Sequence, residues 1–245
     1  MTTSAQQEAY ALCNRGVART LAGAVADALV DFDEALRLDP ECAEAFNNRG
    51  FVRLLMSDAR GACADFDQAL QLDPRLAAAY ANRGGLRLAV WDLHGALADL
   101  DAALALDPRH VPSYLARANA RYHLRDLGAE DDFRAAFRLD AAYTARAIVS
   151  LLLQALQEDG PRLILTDCEK HLRFNPGDFH SLARRGLLCL LQSRDAESLA
   201  DFDEYRRLNP EGTPFLDVVI EEAKRRASSS AAYSNVRSFD GSEQV

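Results

Sequence analysis

The chain has 245 residues, 49 % of them hydrophobic, which is enough apolar material to bury a core without disulfide or metal staples. Its formal charge is −9, and Lys170 and Lys224 are its only lysines, which works against the clustered basic face that phosphate backbones usually meet. Five cysteines without a C-x-x-C pair suggest neither a disulfide framework nor a zinc site, and no window approaches the roughly 18 unbroken apolar residues of a membrane span.

Residues 1–8 form a short extension with no basic segment followed by an apolar run, so a cytoplasmic protein is expected. From Ala9 onward the chain repeats itself. Asn14-Arg15-Gly16, Asn48-Arg49-Gly50 and Asn82-Arg83-Gly84 follow one another at 34 residues, Ala116-Arg117-Ala118 keeps the spacing, and Arg184-Arg185-Gly186 returns to it. A second column, Asp39-Pro40, Asp73-Pro74, Asp107-Pro108, Asp140-Ala141, Asn175-Pro176 and Asn209-Pro210, closes each unit. Six units result: 9–42, 43–76, 77–110, 111–144, 145–178 and 179–212.

Each unit reads as two amphipathic helices, because core-type residues recur three and four apart on either side of a short break. Glycine inside a helix costs roughly 1 kcal/mol relative to alanine, so its recurrence in one column predicts a neighbouring helix packed where a side chain would clash. Proline then stops the second helix. Arg15 and Arg19, one turn apart on the packing face, need acids to meet them, and Asp31, Asp65, Asp99, Asp132, Asp167 and Asp201 recur at the same period. These are read as a structural ladder of arginine–aspartate bridges rather than as catalytic pairs.

The remaining columns place large residues at Leu12, Phe46, Tyr80 and Tyr114, small ones at Ala28, Ala62, Ala96 and Ala129, and large ones again at Phe32, Phe66, Leu100 and Phe133. This pattern resembles the tetratricopeptide repeat family over about five-sixths of the chain. It departs from the family at Arg19, Arg53, Arg87 and Arg121, where a tyrosine is usual. The resemblance implies an all-α, right-handed superhelix of six helix-turn-helix units, with the first helices lining a concave groove.

Helical projection places Asn14, Asn48, Phe51, Leu55, Asn82, Leu115, Asn119, Arg146, Val149, Leu153, Arg184, Leu187 and Leu191 on that groove. Phe51, Leu55, Leu115, Val149, Leu153, Leu187 and Leu191 are expected to form exposed apolar patches there. Asn14, Asn48, Asn82 and Asn119 offer donors and acceptors to a peptide main chain, and Arg146, His180 and Arg184 favour an acidic group at the far end. Co-chaperone relatives clamp acidic chaperone tails with basic and amide groups; Asn48 matches that clamp, whereas Cys13, Val17 and Asn82 depart from it.

The fifth unit is odd, since its first helix, around Ile148 to Leu153, is apolar nearly all round and needs a cover. Cys168 and His171 lie three apart in its second helix and are read as core, not as metal ligands. Thr213-Pro214 opens an amphipathic capping helix, 213–227, with Thr213 as its cap. The serine-rich tail 228–245 reads as disordered, with Tyr233, Val236 and Phe239 as weak anchors able to enter the chain's own groove or a neighbouring copy's.

No phosphate-cradling loop, metal set or activated nucleophile is legible, so neither enzyme activity nor a cofactor is expected. The reading is a protein-interaction scaffold that binds a partner peptide or helix, without nucleic acid or membrane. The alternative is a regulatory or self-associating protein that docks by its convex or end surfaces.

Overall fold

The computed structural model describes residues 4–126, 128–158 and 160–228. Those residues form α-helices joined by short turns, with no strand among them. The chain divides into two compact units, residues 1–135 and 136–245.

The first unit is a stack of helix pairs: α1 (Ser4–Leu21) with α2 (Val25–Leu38), α3 (Ala43–Leu55) with α4 (Ala59–Leu72), and α5 (Ala77–Ala89) with α6 (Leu93–Leu106), followed by α7 (Val111–His123) and the start of α8 (Gly128–Leu139). First helices pack against first helices, α1 on α3, α3 on α5 and α5 on α7, so the unit has one wall built of first helices alone. α1 begins at Ser4, inside the stretch read as an extension.

Local chemistry explains the breaks. Asp58 and Asp92 cap α4 and α6 by accepting from the amides of Gly61 and Gly95, at 2.9 and 3.0 Å. The turn between the helices of a pair needs a left-handed residue, supplied by Gly23 at φ 78°, Ser57 at 63°, Trp91 at 64° and Arg125 at 58°. The glycine column behaves as the sequence predicts. A Cβ at Gly16, Gly50 or Gly84 would come within 2.7–2.8 Å of the Phe32, Phe66 or Leu100 side chain of the second helix.

The arginine–aspartate ladder is present and runs further than expected. Each buried aspartate receives two arginines of its own first helix: Arg15 and Arg19 on Asp31, Arg49 and Arg53 on Asp65, Arg83 and Arg87 on Asp99, Arg117 and Arg121 on Asp132, all at 2.6–2.8 Å. Arg49, Arg83 and Arg117 also reach back to Asp33, Asp67 and Asp101 of the preceding second helix, stitching one pair to the next. Hydrogen bonds from Arg15, helped by the charge of both arginines, hold the Asp31 carboxyl below its ordinary range.

The second unit comprises the end of α8, then α9 (Ala141–Glu158), α10 (Gly160–Phe174), α11 (Phe179–Leu191), α12 (Asp195–Leu208), a 3-10 turn (Pro210–Gly212) and α13 (Thr213–Ser228). Here the ladder shrinks to Arg185 on Asp201 at 2.6 Å. Asp167 does not join it, because its own first helix carries Leu151 and Ala155 where the arginines would stand. It is half-exposed instead, 3.7 Å from Arg184 and 3.9 Å from His171. Cys168 is buried in the core, which pushes its thiol up to about 11.

α13 is more than an end cap. It packs against both α9 and α11, with the Phe215 ring edge-on to Phe137 at 5.3 Å. Leu216, Val219, Ile220 and Ala223 share one apolar cluster with Val149, Leu152 and Leu156 of α9 and with Leu187, Leu188 and Leu191 of α11. This is the cover that the all-round apolar fifth unit requires. Thr213 is not the cap of this segment; its dihedrals are helical, and Asn209 caps the preceding turn by accepting from the Gly212 amide at 3.0 Å. The tail with Tyr233, Val236 and Phe239 lies outside the described residues. Among the described residues, no helix is long and apolar enough to cross a membrane.

Candidate partner-binding face

The helical columns sort the expected groove residues into three fates. The column of Cys13, Asn47, Leu115 and Val149 is buried: Cys13 shares an apolar cluster with Ala45 of α3, Asn47 meets Asn82 of α5, and Val149 lies in the cluster that α13 covers. Leu115 and Val149, expected on an open patch, are therefore buried. Leu187 and Leu191 are also sealed: they stand in the columns of Phe51 and Leu55 but lie beneath α13. Leu153 is half-buried against the same cluster.

What stays open is the first-helix wall of residues 1–135. Phe51 is 42 % exposed and Leu55 53 %, with Val17, Leu21 and Met56 exposed alongside. Asn14 is exposed, and Asn48, Asn82 and Asn119 are half-buried on the same wall. Part of the amide chemistry is already used. Asn82 donates to the Asn47 side chain of α3 at 2.9 Å, and Asn47 donates to Asn48 at 3.2 Å, so a short amide chain ties α5 to α3.

Gly84 and Gly85 are neighbours with opposite roles. Gly84 is pressed on Leu100, whereas a Cβ at Gly85 would meet nothing within 4 Å. Internal packing gives no reason for glycine at 85. With Ala81 and Ala89 it leaves α5 without bulky side chains along this stretch, on the helix packed beside α3, which carries Phe51 and Leu55.

At the end of α5 stands Trp91, the chain's single tryptophan, 68 % exposed and in the left-handed conformation that other units give to Gly23, Ser57, Arg125 and Ser193. Its ring meets His123 of α7 at 4.8 Å between centroids. A bulky residue at positive φ carries backbone strain of the order of 1–2 kcal/mol. Helical projection misses Trp91 because it lies in a turn; the legible signal is an aromatic residue in a column held elsewhere by Gly23, Ser57, Arg125 and Ser193.

In the second unit, Arg146 is exposed and Arg184 is half-buried beside Asp167. The side chain of His180 lies outside the described residues. Near the other end, Cys42 and Cys13 share one apolar cluster, and the Cys13 thiol donates a hydrogen bond that brings the Cys42 thiol down to about 7.

No protein-family sequence model matches the chain, and no curated protein matches it in sequence. Solved structures do. YrrB, described as a TPR protein with an unusual peptide-binding site, is 16 % identical, with 87 % of this chain and 90 % of that one covered at a TM-score of 0.50. MamA is 13 % identical, with 85 % and 95 % covered at 0.51. This chain has the tetratricopeptide-repeat fold. Identities this low speak for the fold alone; what this tetratricopeptide-repeat chain binds has to be argued from its own wall, where Phe51, Leu55 and Trp91 stand uncovered.

Proposed function

We propose that this protein is a non-catalytic scaffold that captures a partner polypeptide on the first-helix wall of residues 1–135. One observation carries the reading: Phe51 and Leu55 stay exposed, whereas Leu187 and Leu191, in the same helical columns, are covered by an amphipathic helix of the chain itself. Apolar columns that one unit covers with its own helix and the other leaves uncovered mark the uncovered ones as a surface for a guest. The description of YrrB as having an unusual peptide-binding site is in keeping with this use of the fold.

Phe51, Leu55 and Trp91 are the anchors. Burying each contributes about 1.5–3 kcal/mol, which after the ordering cost of association leaves affinities around micromolar. Asn14 and Asn119 make no side-chain hydrogen bond among the described residues and are available to a main chain. Arg146 and Arg184 belong to the second unit and are secondary candidates.

The test is affinity capture from the source cell with wild type, Phe51→Ser, Leu55→Ser and Val30→Ser, the last at an exposed position of the second helix α2. Loss of a defined partner in the α3 variants, with Val30→Ser unaffected, supports the wall. Loss in Val30→Ser alone would move the function to the second-helix surface and favour a protein that docks by its outer face.

A further inference from the structure

The occupant of the wall can be specified further, and this step rests on the reading above. α13 serves as an internal example of what such a wall accepts. It lies on α9 and α11 as an amphipathic helix, burying Leu216, Val219, Ile220 and Ala223, spaced three, four and seven apart, against the columns that hold Leu187 and Leu191. The equivalent columns of the first unit carry Val17 and Leu21 on α1, Phe51 and Leu55 on α3, and Gly85 and Ala89 on α5. Adjacent packed helices lie about 8–10 Å apart, and residues seven apart on a helix are separated by about 10.5 Å at 1.5 Å each, so one guest helix can set one apolar residue over α3 and the next over α5.

The contour at α5 selects a large residue. Phe51 and Leu55 stand exposed on α3, Gly85 on the adjacent α5 carries no side chain and faces open space, and Trp91, against His123, stands exposed just beyond the end of α5. A small residue would leave this space unfilled.

Charge selects the flanks. Residues 1–135 carry 20 acids against 14 arginines and no lysine. Eight of those arginines meet the four buried aspartates of the ladder, and outside it stand 16 acids against six arginines, so the net field of these residues is acidic. Glu44 on the wall and Asp58, Asp92 and Asp126 at its turn edge are exposed; the last three lie 3.7–3.9 Å from Arg53, Arg87 and Arg121, and Arg60, His94, His123 and Arg125 stand within three residues of them in the chain. We infer that the wall of the first unit binds an amphipathic α-helix with a bulky apolar residue seated over Gly85 and lysine or arginine flanking its apolar stripe.

The experiment uses the full chain and two labelled 18-residue synthetic helices with leucines at i, i+3, i+4 and i+7, one otherwise rich in lysine and the other in glutamate, followed by fluorescence anisotropy near physiological salt. The leucine–lysine helix is expected to bind in the micromolar range, at least tenfold more tightly than the leucine–glutamate helix, and to lose at least tenfold in both Phe51→Ser and Gly85→Leu. Gly85→Leu faces open space, so its fold is retained and its loss reports that space. Equal binding of the two helices, still lost in Phe51→Ser, overturns the basic partner while leaving capture on the wall in place. Unchanged affinity in both variants, or no binding of either helix, overturns the wall itself.

Discussion

Replacing Asp99 by alanine tests the ladder where its geometry is most complete. The carboxylate is 4 % exposed and accepts from Arg83 Nε at 2.9 Å, Arg83 Nη2 at 2.6 Å and Arg87 Nη1 at 2.8 Å. Removing one member of a buried charge pair costs about 3–5 kcal/mol, because the remaining charge loses its compensation. Two features reduce that figure. Arg83 keeps Asp67 at 2.6 Å, and both arginines retain some solvent contact. A loss of about 2–3 kcal/mol is expected, against about 0–1 kcal/mol for Asp67→Ala, whose carboxylate is 48 % exposed. Urea unfolding followed by circular dichroism measures both. Repeat stacks need not unfold in one step, so loss of the single transition in Asp99→Ala, with early melting of the third pair, is an equivalent outcome. Equal midpoints and slopes for wild type, Asp99→Ala and Asp67→Ala would refute the ladder as a source of cohesion.

Four further outcomes are expected. Gly84→Ala should destabilise by about 1–3 kcal/mol through its clash with Leu100, whereas Gly85→Ala should stabilise by about 1 kcal/mol; the order of their unfolding midpoints checks both. Trp91→Gly should raise stability by about 1 kcal/mol through relief of its left-handed backbone, while weakening partner capture; a lower midpoint would show that its contact with His123 outweighs the strain. Cys42 should alkylate with a half-maximal rate near pH 7, and Cys13→Ala should move that midpoint upward, as read by mass mapping of the labelled peptide. Because the Asp31 carboxyl sits below its ordinary value, its stabilisation is full above about pH 4 and fades as pH falls through the lowered value. The stability gap between wild type and Asp31→Asn should therefore narrow in acid, and a gap independent of pH would contradict this.

The repeat period, the helix pairs, the glycine contacts and the arginine–aspartate bridges were legible in the sequence because each is a local event repeated at a fixed interval. Gly16 needs only the Phe32 ring of its own pair, and Asp31 needs only Arg15 and Arg19, so a column of letters carries the whole cause. The open wall was legible only in part. Phe51 and Leu55 were readable as exposed, since one helical projection fixes their direction. Leu115 and Val149 were not, because a projection of one helix does not say which other segments pack over its columns. Leu187 and Leu191 show the larger gap: their fate depends on α13, whose apolar residues were visible but whose docking on α9 and α11 follows from where the chain turns at Asn209 and Gly212. Sequence alone settled which surfaces are apolar, through periodicity; only tertiary packing decided which of them the molecule covers for itself, because covering is a contact between segments far apart in the chain.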